Sequence, residues 1–211
     1  MVMKHRFWTA STPAQGFWAE EVFRDADSLS KLESNLQKVA FPEDPAELNG
    51  HDPLGKVIGD GWEGLFEIIG LVFGMHPDLR MSDVVPAPPD QQGYDFVAVH
   101  TKYQQPVTIQ CKFVGKSQAW ETELRESETM RLERFLKASQ NEADVPVKAT
   151  DNMIVFTNAK NIHYFTSDIL LYNKVRCIGR EQITYLINKN PSFWDKARQM
   201  ISDTNPYIKW K

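Results

Sequence analysis

The most informative polar residues of the chain are an aspartate at the start of one predicted strand and a glutamine and a lysine on the next. They are Asp95, Gln110 and Lys112. Because side chains alternate along a strand, Gln110 and Lys112 share one face, and Asp95 lies near them on the neighbouring strand. Carboxylate oxygens are hard ligands of the kind that Mg²⁺ takes, whereas a lysine among apolar residues needs a negatively charged partner. We therefore expect Asp95 to pair with Lys112.

Two plainer interpretations of these residues remain open. In one, Asp95 is a turn residue at a strand start, and in the other, Lys112 is a solvated lysine that guards an exposed edge strand. The combination of residues favours a site instead. Gly93 permits close backbone approach just before the acid, and apolar residues flank the run Gln110-Cys111-Lys112 on both sides.

This pattern resembles the PD-(D/E)xK nuclease superfamily, and within it the Mrr-like restriction endonucleases, which carry a Gln-x-Lys variant of the motif. Those proteins have Gly-x-Asp at the start of one strand and Gln-x-Lys, often Gln-Cys-Lys, on the next. The resemblance extends to the family's last two strands and covers residues 55–190. The matching positions are Gly93, Asp95, Gln110, Lys112 and the runs 154–158 and 175–178.

In the family that the chain resembles, a glutamate on the preceding helix completes the site. It follows an aromatic residue and precedes an apolar pair. Glu63, which follows Trp62 and precedes Leu65 and Phe66, fits this spacing best, and Glu67 is the alternative. The two glutamates are one turn apart on the same side of the predicted helix.

The resemblance implies a metal-binding hydrolase, an endodeoxyribonuclease that uses Mg²⁺ or Mn²⁺ to cleave phosphodiester bonds in DNA. Asp95 would be the principal metal ligand, Glu63 would bind directly or through water, and the backbone carbonyl of Cys111 would be a neutral ligand. Gln110 offers only an amide oxygen where most relatives have a second carboxylate, which weakens the case for two tightly held metals. Lys112 would position or help deprotonate the attacking water and offset charge in the transition state.

Further expectations concern partners and alternative functions. Lys116 is a candidate for a phosphate contact, with a solvated lysine as the alternative. The missing second carboxylate also motivates a different hypothesis, a non-cleaving nucleic-acid-binding or assembly domain that keeps the nuclease fold. A third hypothesis is the nuclease module of a larger machine, with a helicase or a specificity subunit as protein partner. Double-strand cleavage generally needs two sites, so a homodimer is also expected.

The predicted elements alternate in the order helix, strand, strand, helix, strand, helix, strand, helix, which indicates an α/β fold. The resemblance specifies a restriction-endonuclease-like mixed central sheet flanked by helices. Prolines and glycines between residues 42 and 55 indicate a boundary between a small helical N-terminal extension (1–54) and a nuclease domain (55–211). The predicted strands are 94–100, 107–114, 153–157 and 175–178. The predicted helices are 17–40, one from a cap at Asp60 to Gly74, 116–140 as one helix or as two that divide near Ser127, 162–172, 181–188 and 192–201. In the first of these, Leu29, Leu32, Leu36 and Val39 recur at steps of three and four, which places them on one face.

The charge and the cysteine content limit the classes of protein to which this chain can belong. The 211 residues contain 24 Lys and Arg against 28 Asp and Glu, a net charge of −4, which argues mildly against a nucleic-acid partner. However, residues 1–100 carry −9 and residues 101–211 carry +5, so the second half can supply phosphate contacts. With only Cys111 and Cys177, a disulfide framework and a four-cysteine zinc site are excluded. No run approaches the ~20 apolar residues that span a bilayer, and we expect a cytoplasmic protein without a membrane partner.

Overall fold

The structure is a computed structural model that describes residues 20–40, 54–87, 93–114, 123–124, 134–139, 153–162 and 164–204. The chain divides into two compact units, Met1–Ile68 with Thr184–Lys211, and Ile69–Ile183. The segment 41–53, which prompted the predicted boundary, lies outside the described residues. The division at residues 54 and 55 therefore stays a prediction.

Helices and strands are interleaved along the described chain. The helices are α1 (Leu29–Ala40), α2 (Leu54–Phe73), α3 (Tyr164–Tyr172), α4 (Arg180–Asn188) and α5 (Phe193–Thr204), and residues 20–23 and 134–139 are also helical. The strands are β1 (Met81–Pro86), β2 (Phe96–His100), β3 (Pro106–Lys112), β4 (Glu123–Leu124), β5 (Met153–Thr157), β6 (Asn161–Ile162) and β7 (Arg176–Ile178).

A mixed five-stranded sheet forms the centre of the second unit, in the order β1-β2-β3-β5-β7. The pairs β1–β2 and β2–β3 are antiparallel, and β3–β5 and β5–β7 are parallel. Every residue of β5 is buried, as expected for a parallel strand with both faces covered. The predicted α/β class and mixed sheet are confirmed. The short strands β4 and β6 form a separate parallel pair.

Helical residues pack against this sheet through a buried apolar cluster. The cluster joins the helix at residues 134–139 and α3 to β5 and to the start of β7. Its members include Phe135, Leu136, Met153, Val155, Leu170 and Val175.

The helix predicted over residues 17–40 is interrupted at residues 24–28, and its second part, α1, has the predicted apolar stripe. Leu29, Leu32 and Leu36 are all buried and recur at helical spacing. The guanidinium of Arg198 on α5 donates a hydrogen bond to the Ala26 carbonyl oxygen at 2.9 Å. This bond ties α5 to the chain just before α1. None of the described helices is long and apolar enough to cross a bilayer.

The predicted start of α2 was wrong. The helix begins at Leu54, so Asp60 lies inside it and is not its cap. Gly55, Gly59 and Gly61 made this stretch a poor local helix former, but intrinsic propensity is a weak guide that tertiary packing overrides. The predicted end at Gly74 is confirmed, because α2 ends at Phe73.

Two further predictions failed because the decisive features are not local. Strand β1 was not predicted. Its pairing with β2 shifts register between Ser82 and Val85, and Asp83 between them has φ 52°. Because of this irregularity, its side chains do not follow the strict alternation that identifies a strand in a sequence. The predicted helix over residues 116–140 is wrong at Glu123–Leu124, which pairs with β6. Within that range, residues 134–139 are helical, and most of the rest lies outside the described residues.

Candidate functional site

Asp95 is held at the start of β2 by hydrogen bonds to residues on both sides. Its backbone N–H donates to the Ile109 carbonyl oxygen at 2.7 Å, and its carbonyl oxygen accepts from the Ala87 N–H at 2.9 Å. Phe96 is also paired with Ile109, so two consecutive residues lie opposite one. This is the arrangement of a β-bulge, which redirects the side chain of the additional residue.

The Asp95 carboxylate completes the ladder between β2 and β3. Its Oδ2 accepts a hydrogen bond from the backbone N–H of Cys111 at 2.7 Å. Backbone groups of alternate residues on a strand face the same neighbour, so Cys111 faces β2 as Ile109 does. Because β2 begins only at Phe96, the carboxylate takes the place of a backbone carbonyl. Asp95 therefore stabilises the hairpin whatever chemistry it also performs.

The carboxamide of Gln110 joins two oxygen atoms that the resemblance assigns to a metal ion. Its Nε2 donates to Asp95 Oδ2 and lies 3.5 Å from the Cys111 carbonyl oxygen. Gln110 is only 8% exposed, which shields these bonds from water. The structure thus brings together Asp95, Gln110 and Cys111.

These oxygen donors fit a hard cation once one side chain rotates. Asp95 supplies a carboxylate oxygen and Cys111 a carbonyl oxygen. A half turn about the last side-chain bond of Gln110 would exchange its amide nitrogen for its amide oxygen. All three are ligand types that Mg²⁺ uses together with water. In the observed orientation, the partial positive charge of the Gln110 N–H group faces the same oxygens that a cation would contact.

Lys112 is the last residue of β3 and pairs with Thr157 of β5. By strand alternation it lies on the same side of β3 as Gln110. The interpretation of Lys112 as an edge-strand guard is wrong, because β3 lies between β2 and β5. The ion pair with Asp95 stays a prediction. These residues lie at the carboxyl end of the parallel strands, which is where α/β sheets bind ligands.

The predicted helix carboxylates both lie on α2, within the unit Met1–Ile68 with Thr184–Lys211. Glu63 is partly exposed, whereas Glu67 is 1% exposed. Of the two, only Glu63 keeps appreciable solvent access. Lys116 lies outside the described residues.

In the described part of the chain, no three His, Cys, Asp or Glu side chains lie close enough together to hold a metal ion. The donor set around Asp95 is of another kind, since it combines one carboxylate with a backbone carbonyl and a carboxamide.

One residue that positions the site was not recognised as such in the sequence. Asn158, just after β5, accepts a hydrogen bond from the Val114 N–H at 2.7 Å and donates to the Val114 carbonyl at 3.1 Å. Its amide thereby extends the β3–β5 pairing beyond Lys112. An Asn directly after a buried strand is the only sequence signal for this function.

Gly93 allows the helix at residues 134–139 to approach the chain just before Asp95. A Cβ added at Gly93 would lie 2.5 Å from the Ala138 Cβ and 3.1 Å from the Arg134 carbonyl oxygen. The close approach expected at this glycine is therefore present, and its partner is the helix.

The two cysteines are not poised as nucleophiles. Cys111 is buried. Burial raises the pKa of the Cys177 thiol to about 11, so at neutral pH the thiolate is a minor species.

Comparison with known proteins yields no relative: no family model, curated protein or solved structure matches this chain.

Proposed function

We propose that this chain is a Mg²⁺-dependent DNA endonuclease, a Mrr-like member of the PD-(D/E)xK superfamily with a restriction-endonuclease-like fold. The observation that carries the proposal is the convergence of Asp95, the Cys111 carbonyl and the Gln110 carboxamide at the end of β3. Lys112 follows on the same strand. The order of these residues along two paired strands is the one that the resemblance requires.

In the proposed reaction, water adds to the phosphorus of a phosphodiester and the bond to the leaving oxygen breaks. Mg²⁺ at this site would polarise the phosphate and stabilise its developing charge. Asp95 and the Cys111 carbonyl would bind this cation. Lys112 orients the attacking water, and its ammonium offsets negative charge on the phosphoryl oxygens. The water loses a proton to solvent, and the leaving oxygen gains one.

The test is cleavage of supercoiled, single-stranded and branched DNA in the presence of Mg²⁺ or Mn²⁺. We expect Lys112→Ala and Asp95→Asn each to reduce the rate by about a thousandfold, since a metal or charge contribution of several kcal/mol is lost. In Asp95→Asn, the side-chain amide oxygen can still accept the Cys111 N–H, so a loss of activity would not follow from unfolding. An active Asp95→Ala protein would refute the proposal.

Matched controls remove the same charges elsewhere. Asp168→Ala on α3 and Lys196→Ala on α5 change exposed residues and should leave cleavage unchanged. The helix carboxylate is tested by comparing Glu63→Gln with Glu67→Gln. The more damaging substitution identifies it.

One observation favours a second function, a non-cleaving nucleic-acid-binding or assembly domain. The Asp95 carboxylate already accepts hydrogen bonds from Gln110 and from the Cys111 N–H, which is a sufficient structural reason for an aspartate here. This alternative predicts DNA binding without nicking and no Mg²⁺ or Mn²⁺ binding by calorimetry. A homodimer and a helicase or specificity subunit remain possible partners under either function, and sedimentation with and without DNA tests the homodimer.

A further inference from the structure

An open hollow of about 530 Å³ lies at the end of the sheet opposite Asp95. It is formed where the chain leaves α3 for β7 and where a turn precedes β1. Its size is within the range of small-ligand sites. The lining residues are Pro77, Asp78, Arg80, Leu171, Lys174, Val175, Arg176 and Gln182.

Positive charge dominates the residues that line this hollow. The lining contains three cationic residues, Arg80, Lys174 and Arg176, and one carboxylate, Asp78. Its formal charge is therefore +2. Arg and Lys are the side chains that recognise phosphate, Arg through a planar fork and Lys as a point charge. The hollow therefore has the chemistry of an anion site.

Neutral backbone carbonyls hold the two guanidinium groups in place. Arg80 Nε donates to the Pro77 carbonyl oxygen at 2.9 Å. Arg176 donates to the Asp78 carbonyl at 2.7 Å and to the Leu79 carbonyl at 2.5 Å. Three successive carbonyls, which carry no net charge of their own, thus orient two arginines. Such fixed donors lose little freedom when a ligand binds.

Two of the cationic residues adopt a backbone conformation that favours glycine. Arg80 has φ 54° and Lys174 has φ 56°. Lys174 follows α3 and closes it with two bonds, from its own N–H to the Leu171 carbonyl at 3.1 Å and from the Val175 N–H to the Leu170 carbonyl at 2.8 Å. This is a Schellman motif, whose left-handed residue is usually Gly. A lysine there costs stability, and such strain is typical of functional positions.

We propose that this hollow is a phosphate-binding site with Arg80 and Lys174 as ligands and Arg176 as the residue that fixes the turn. Its position at the amino end of β7 separates it from Asp95 at the carboxyl end of β3 by roughly 15 Å, the length of one strand. The phosphate belongs either to a nucleic-acid backbone or to a free nucleotide. The proposal does not depend on metal binding or cleavage at Asp95.

The experiment measures binding to the full chain in EDTA, so that cleavage does not interfere. Inorganic phosphate and 5′-AMP are titrated by calorimetry at constant ionic strength, and a labelled single-stranded oligonucleotide by fluorescence anisotropy. We expect Lys174→Gly and Lys174→Gln each to weaken binding about tenfold, because a charge-assisted hydrogen bond is lost. Tighter binding of the oligonucleotide than of 5′-AMP assigns the phosphate to a strand, and equal binding assigns it to a free nucleotide.

Gln104 provides a matched control for backbone strain. It has φ 53° in the turn between β2 and β3 and does not line the hollow. Lys174→Gly and Gln104→Gly should both raise the melting temperature, by about 2–4 °C, but only Lys174→Gly should weaken binding. Lys174→Gln should weaken binding without raising the melting temperature. The proposal is overturned if both Lys174 variants bind all three ligands as tightly as Gln104→Gly does, or if the unmodified protein binds none of them.

Discussion

The substitution Gln110→Glu tests whether the group around Asp95 is built to hold a cation. In the native chain, the Gln110 amide donates to Asp95 Oδ2 and reaches the Cys111 carbonyl. Glutamate of nearly the same shape offers oxygen in place of the N–H group. Two carboxylates and a carbonyl then face one another in a place that is largely shielded from water.

The expected cost of this change depends on pH. The loss of a hydrogen bond to a charged group costs about 1.5–3 kcal/mol, and mutual repulsion raises the pKa of one of the two carboxyls above its unfolded value. Below the unfolded pKa, near pH 4, a shared proton replaces the amide hydrogen and stability is close to native. Stability is lost as the pH rises through the raised folded pKa. At pH 8, we expect a destabilisation of about 3 kcal/mol, or roughly 6–12 °C in melting temperature.

A divalent cation should reverse this loss. An ion that binds only the folded state stabilises it by about 2.7 kcal/mol at a concentration one hundred times its Kd. Mg²⁺ should therefore restore most of the melting temperature of Gln110→Glu at pH 8. The double variant Asp95→Asn with Gln110→Glu exchanges amide and carboxylate, so it should recover stability without Mg²⁺.

The assay is thermal unfolding by circular dichroism at pH 5 and pH 8, with Mg²⁺ or with NaCl of equal ionic strength. Gln199→Glu is the control, because Gln199 donates to Asp203 at 2.6 Å on the exposed face of α5, and the same chemical change there is screened by solvent. The reasoning is refuted if Mg²⁺ stabilises Gln110→Glu no more than Gln199→Glu, or if the double variant stays as unstable as the single one.

Two further predictions concern packing and the partly buried thiol of Cys177. Gly93→Ala should lower the free energy of unfolding by about 1–3 kcal/mol through overpacking against Ala138. Adding Ala138→Gly to this variant should recover part of the loss. If urea unfolding shows that the two substitutions have additive effects, the contact is contradicted. Burial raises the pKa of Cys177 to about 11. The rate of its alkylation, measured by peptide mass spectrometry, should therefore increase about tenfold per pH unit between pH 8 and pH 10. Stability should fall from pH 9 towards pH 11 by up to about 1.4 kcal/mol per pH unit, as the unfolded thiol ionises first. Cys177→Ala should remove this slope, and an unchanged slope would count against the Cys177 thiol as its cause.

Elements with a strong local pattern could be predicted from the sequence. The α1 stripe and the buried run of β5 were predicted correctly because their apolar spacing reflects burial directly. Strand β1 could not be predicted, because a register shift and the left-handed Asp83 break its alternation. The pairing of β4 with β6 depends on residues distant in sequence, which a local pattern does not report.

The proximity of Asp95 to Gln110 was predicted from the sequence, whereas the hydrogen bond from the Cys111 N–H to Asp95 was not. Strand alternation and the resemblance placed Asp95 near Gln110, and the structure agrees. The expected ion pair of Asp95 with the Lys112 ammonium stays a prediction, and the observed partners include the Cys111 N–H. That bond follows from where β2 begins, and strand ends are the least predictable part of a sequence pattern. The function of Asn158 beyond the end of β5 was missed for the same reason.

The use of a carboxylate in place of a backbone carbonyl has an evolutionary consequence. Under the proposed function, a descendant that had lost DNA cleavage would still need Asp95 to close its hairpin through the Cys111 N–H, so selection for folding alone would retain it. Lys112 pairs with Thr157 of β5, and the backbone bonds of such a pairing can be made by most residue types. In a collection of descendants, drift at Lys112 would therefore mark the loss of catalysis sooner than drift at Asp95.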